Sequence, residues 1–160
     1  MKLKYIIPLL VILAPSAWGQ IVIKSGANEI APDLTLQVGK NVIAADVGLL
    51  IGPNLVIADF SVGVTNKINK ANFIVTEGIH LKHILRVQAG DSVIAPDISI
   101  QAGGAVIAPD VRVKVKTSGA VDYLVYIDKQ RATMVDLVVA ILPAINKKLG
   151  YKLKRVPRIK

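Results

Sequence analysis

Aspartate is the residue with which this chain could most often do chemistry. Asp33, Asp46, Asp59, Asp97 and Asp110 each follow Ala-Pro, Ala-Ala or Ile-Ala, at successive intervals of 13, 13, 38 and 13 residues. Carboxylates at such a period either cap turns through their side chains or stack into a column that holds cations. Calcium-binding solenoids place Asp inside Gly-rich nonapeptides, a pattern this chain lacks, so the five aspartates read as repeat-marking turn residues. His80 and His83 are the only histidines and there is no cysteine. On a strand a spacing of three sends the two imidazoles to opposite faces, so no shared metal is expected. No Gly-x-Ser-x-Gly elbow, phosphate loop or dinucleotide fingerprint is present. The chain is therefore expected to be non-enzymatic and to carry no cofactor.

The elements that position the aspartates are written as a repeat. GANEIAPDLTLQV, GKNVIAADVGLLI, GPNLVIADFSVGV, GDSVIAPDISIQA and GGAVIAPDVRVKV align at 13 residues, and two degenerate copies fill the gap, making seven units over 26–115. Each unit has a Gly at its start, Pro-Asp or Ala-Asp near its middle and short β-branched segments between, which is the grammar of strands and turns. Ile98, Ile100 and Ala102 alternate with Ser99 and Gln101, and Val111, Val113 and Val115 with Arg112 and Lys114, so one strand face is expected to be buried. Pro32, Pro96 and Pro109 place a corner before the marker Asp. Thirteen is odd, so an unbroken strand would turn its apolar face outward in every second copy, and the corners must reset the phase.

The expected fold is mainly β: a 13-residue-repeat β-solenoid, or an antiparallel β meander or sandwich, followed by a small C-terminal α/β module. A solenoid of stacked coils would bring the aspartates into one column of like charge, which should repel. At the outward positions of the central copies stand Gly48, Leu50, Ser61 and Gly63, a face that looks covered by another part of the chain, with a partner chain as the alternative. Arg86, Gln88, Ser99, Gln101, Arg112 and Lys114 in later copies read as solvated surface.

Met1 to Gly19 has the form of a secretory signal peptide, with Lys2 and Lys4 before the apolar run Ile6 to Ala14 and small residues at Ala17 and Gly19. The expected organisation is leader 1–19, β-repeat domain 20–116 and α/β module with basic tail 117–160. Val135 to Ile145 is interrupted by Asp136 and Pro143 and is too short to span a membrane, so no transmembrane segment is expected after leader removal. Without Lys2 and Lys4 the chain has 18 basic and 11 acidic residues, a net +7. That excess lies in Lys147, Lys148, Lys152, Lys154, Arg155, Arg158 and Lys160, which with no acid among them form a candidate site for an anionic surface such as lipid head groups or a cell-wall polymer. Export and a scarcity of aromatic residues disfavour nucleic acid.

In the C-terminal part Val121 to Lys129 alternates as a strand, Thr133 and Asp136 form a helix cap, Met134, Val138, Ile141, Ile145 and Leu149 make an apolar stripe, and Gly150 stops the helix. Pro143 is expected to kink or split the helix, and Tyr151 to Val156 to resume a strand. This order over 121–156, with Leu-Gly-Tyr between helix and strand, resembles the short periplasmic βαβ module of secretins and TonB-dependent receptors. The resemblance implies an accessory part of an envelope secretion or pilus machine. Taken together, the chain is expected to be exported to the periplasm or cell surface as a structural or assembly component that self-associates or binds a protein partner. The alternative is a secreted or periplasmic binding protein or adhesin.

Overall fold

The computed structural model describes residues 19–78 and 82–159. The expected leader lies, but for Gly19, outside these residues, as do His80 and Lys160. The elements are β1 (Ile21–Gly26), β2 (Leu34–Gly39), β3 (Val47–Gly52), β4 (Phe60–Val64), β5 (Phe73–Thr76), β6 (Leu85–Gly90), β7 (Ile98–Gly103), β8 (Val111–Lys116), β9 (Tyr123–Asp128) and one α-helix, α1 (Met134–Lys148). A 3-10 turn, Ile68–Lys70, lies between β4 and β5.

The strands close into a barrel in the order β1-β5-β9-β4-β8-β3-β7-β2-β6, and every pairing is parallel. The antiparallel meander or sandwich is thus not the arrangement adopted. Strands consecutive in sequence never pair; each lies two places along the ring from the one before, so the chain passes twice around the barrel and the second pass fills the gaps left by the first. The marker aspartates do not stack on one another; each lies against a different strand residue.

Parallel strands ordinarily need a crossover of a dozen or more residues, usually a helix. Here seven-residue loops suffice because neighbouring strands are staggered. Gly26, the last residue of β1, is level with Gln88 of β6, while Leu34, the first of β2, is level with Val87 on the other side of the same strand. Residues 27–33 therefore only hop over β6 without travelling back along the barrel. In the same way residues 40–46 hop over β7, 53–59 over β8, 91–97 over β2 and 104–110 over β3.

Both faces of a parallel sheet must be covered. The loops cover the outside; α1 fills the inside. Val138 to Asn146 are nine consecutive buried residues, so the helix is enclosed on every side, and it touches the adjacent strands β9, β5, β1, β6 and β2. Its core is continuous with the inward side chains of the barrel, among them Ile23, Leu36, Leu49, Val62, Val75, Val87, Ile100, Val113 and Val125. The strands show the expected alternation of buried and half-buried residues. Thr133 and Asp136 form the expected capping box.

The expected cover over the central copies is present, and several other expectations change. The face at Gly48 and Gly63 is covered from within the chain: a Cβ on Gly48 would lie 3.4 Å from Val106 and one on Gly63 3.4 Å from Val121, so glycine at both positions lets the overlying loops lie close. That face is not open for docking. Nor are Arg86, Gln88, Ser99 and Gln101 open solvated surface, because loops lie across them and take their hydrogen bonds. Pro143 does not split α1, which the surrounding walls hold as one helix. The strand expected at the start of the C-terminal module, β9, is the ninth stave of the barrel, paired with β4 and β5. Tyr151 to Val156 forms no strand. Left-handed backbone at Gly150, Tyr151 and Arg155 turns the chain, and Asn146, buried inside α1, accepts the Leu153 N–H at 2.9 Å and curls the tail against the barrel end.

Candidate functional surface

The marker aspartates act one by one. Each ends a loop at the level of an outward residue of the strand just crossed, and its carboxylate accepts that residue's backbone N–H. Asp33 accepts from Arg86 at 2.8 Å, Asp46 from Ser99 at 2.7 Å, Asp59 from Arg112 at 2.7 Å, Asp97 from Thr35 at 2.8 Å and Asp110 from Gly48 at 2.7 Å. Four of these aspartates return their own N–H to the partner carbonyl: Asp33 to Arg86, Asp59 to Arg112, Asp97 to Thr35 and Asp110 to Gly48, at 2.8–3.0 Å. Each pair extends the ladder one residue before the strand begins, satisfying an N–H that the loop would otherwise orphan.

Two further members of this set escaped the sequence reading. Asp122 accepts from Ser61 N–H at 2.6 Å and hydroxyl at 2.8 Å, and Asn72 accepts from Leu124 N–H at 2.7 Å. Their positions carried the signal, since Asn72 follows Asp59 by 13 residues and Asp122 follows Asp110 by 12. The N–H and hydroxyl of Thr35 hold the Asp97 carboxyl below its ordinary 3.8, and those of Ser61 do the same for Asp122. At Asp59 burial pushes the pKa up, but the Arg112 N–H and the Lys148 ammonium outweigh it and the net shift is downward.

Among the described residues, Lys147, Lys148, Lys152, Lys154, Arg155 and Arg158 do not converge on one outward site. Lys148 lies 3.0 Å from Asp59, Arg155 lies 3.4 Å from Asp97, and the Arg158 guanidinium sits 5.0 Å above the Tyr151 ring. Lys147 lines a recess with Asp122 and Tyr123, while exposed Lys152 and Lys154 share another with Asp46 and Asp97. The tail is folded onto the rim of carboxylates where the strands begin. At the opposite end Lys129 bonds Asp136 and stands 3.5 Å from Glu77, so an ion pair closes the point where the chain enters the lumen. His83 is half-buried, and among the described residues no three His, Cys, Asp or Glu side chains gather as metal ligands.

The outer loops present a different chemistry. Three residues before each marker Asp stands Ile30, Ile43, Val56, Ile94 or Ile107, exposed at 83%, 93%, 97%, 92% and 92%. One residue later Ala31, Ala44, Ala95 and Ala108 hold φ between 47° and 52°, the left-handed region in which glycine rests without strain. The loops that carry these residues cross β6, β7, β8, β2 and β3, which are consecutive in the ring. The side chains therefore form one row around roughly half the barrel. Comparison with protein-family models, curated proteins and solved structures finds no match.

Proposed function

We propose that this chain is an exported, non-enzymatic structural or assembly component of a bacterial-type envelope or surface, built on a 13-residue β-solenoid-like repeat wound twice around its own helix. The observation that carries the reading is the combination of a lumen filled by α1 and an exterior of nearly identical loops with fully presented aliphatic side chains. A filled barrel is a poor container and a good spacer. Its repetition offers the same contact in several directions, as assembling subunits need. The leader-like N-terminus supports placement in the periplasm or at the cell surface.

A second reading is a binding protein or adhesin that grips an anionic polymer or surface with the C-terminal cations. Exposed Lys152 and Lys154 favour it; the engagement of Lys148 and Arg155 with the protein's own carboxylates weakens it.

The test is cell fractionation of a bacterial host producing the full chain, with mass spectrometry of the recovered protein. The expected result is a chain beginning at Gln20 in the periplasmic, envelope or extracellular fraction. Recovery of the intact chain from the cytoplasm would sink the reading.

A further inference from the structure

We propose that the row Val56, Ile107, Ile43, Ile94 and Ile30, in ring order, is a self-association face that packs against the same row on a second copy of this chain. The inference rests on the structural-component reading above and names the partner. Two independent observations point to the row as a selected surface. A monomer rarely exposes large contiguous apolar area, and here five aliphatic side chains on neighbouring loops lie almost wholly in solvent. Beside them, four alanines keep left-handed backbone where glycine would relieve strain, and each retained methyl widens the apolar strip.

The occupant follows from charge, area and shape. Asp33, Asp46, Asp59, Asp97 and Asp110 run along one edge of the row. Exposed Lys152 and Lys154 lie at that same end. Two barrels side by side with parallel axes therefore bring Lys152 and Lys154 of one level with the exposed Asp33, Asp46 and Asp110 of the other, and the uncharged rows between them face each other. The strip offers on the order of several hundred Å² per copy, the scale of a weak pairwise contact. It spans five of the nine strands, so one copy can touch more than one neighbour, and weak contacts then add through avidity.

The experiment is light scattering and sedimentation of the processed protein over a wide concentration range, at low and high salt. It is run on the native chain, on Ile43→Lys/Ile94→Lys, and on Ile68→Lys, a change outside the row. Circular dichroism and thermal melting check that each variant folds. Mass is expected to rise with concentration for the native chain and for Ile68→Lys, whereas the double variant needs at least about tenfold more protein to associate. Ala44→Gly/Ala95→Gly, which cannot fail for lack of backbone freedom, is expected to weaken association while retaining the fold. A native chain that stays monomeric throughout, or a double variant that assembles like the native chain, overturns the proposal. So does co-sedimentation of the native monomer, but not the double variant, with vesicles of anionic lipid. Localisation is scored separately: a monomer that is nonetheless exported and retained in the envelope overturns self-association and leaves the structural reading standing.

Discussion

Asp33 and Arg86, 53 residues apart, exchange two hydrogen bonds: the Asp33 N–H donates to the Arg86 carbonyl at 2.9 Å, and the Arg86 N–H donates to the Asp33 carboxylate at 2.8 Å. The first pass of the chain is thereby fastened to the second, and the other marker aspartates fasten their own loops to the strands they cross.

Removing one clamp should loosen the barrel locally without unfolding it. Asp46 accepts the Ser99 N–H at 2.7 Å and its hydroxyl at 2.9 Å. Asp46→Ala is expected to cost about 1–2 kcal/mol. Asp46→Asn, which keeps an acceptor oxygen, should cost less. Urea denaturation midpoints of the two variants measure the difference, and equal losses would deny the carboxylate its role as acceptor.

Acid should undo the clamps at Asp97, Asp122 and Asp59. Asp97, Asp122 and Asp59 have folded pKa values below the ordinary 3.8, so their contribution is complete above that value and is lost as pH falls through the lower, folded values. Stability due to these groups is expected to be flat from neutrality to about pH 5 and to decline below about pH 4. The melting temperature against pH reports this directly. Asp97→Asn should flatten part of the acid limb, and an unchanged limb would assign the loss to other groups.

The left-handed alanines store strain that glycine would release. At φ 52° Ala44 carries about 1–2 kcal/mol of steric cost, against about 0.5–1 kcal/mol of extra unfolded-chain entropy that glycine brings. Ala44→Gly is therefore expected to leave stability unchanged or raise it by up to about 1 kcal/mol, while Ala44→Val should lower it. Destabilisation by the glycine variant would contradict the strain.

At the mouth of the lumen, Lys129 and Asp136 are paired with only 9% and 5% of their side chains exposed, whereas Glu77 beside them is 63% exposed. Lys129→Met strands a buried carboxylate and is expected to cost about 3–5 kcal/mol. Glu77→Gln should cost about 1 kcal/mol or less. Thermal unfolding of the two variants should separate them widely, and similar small losses would show that Asp136 is sustained by its helix cap alone.

What the sequence determined by itself was local. Alternation at Leu34, Leu36 and Val38 placed strands, Pro32 and Asp33 placed a corner, and Thr133 with Asp136 started the helix, because each signal acts over a few residues of backbone. The cover over Gly48 and Gly63 was also legible, since an outward position without a side chain implies something resting on it. The partners were not legible. Leu34 lies level with Val87 rather than with a residue of the adjoining unit, a register set by how staggered staves close into a ring around a helix. The apolar run of α1 looked like a one-sided stripe because Val139, Ala140, Leu142 and Ala144 have no visible reason to be apolar until a barrel surrounds them. Lys148 and Arg155 read as part of a free patch because the carboxylates they meet, Asp59 and Asp97, are brought to them only when the helix has passed through the barrel and delivered the tail to its far end. Burial and charge pairing are sums over neighbours, and closure of the ring chose the neighbours.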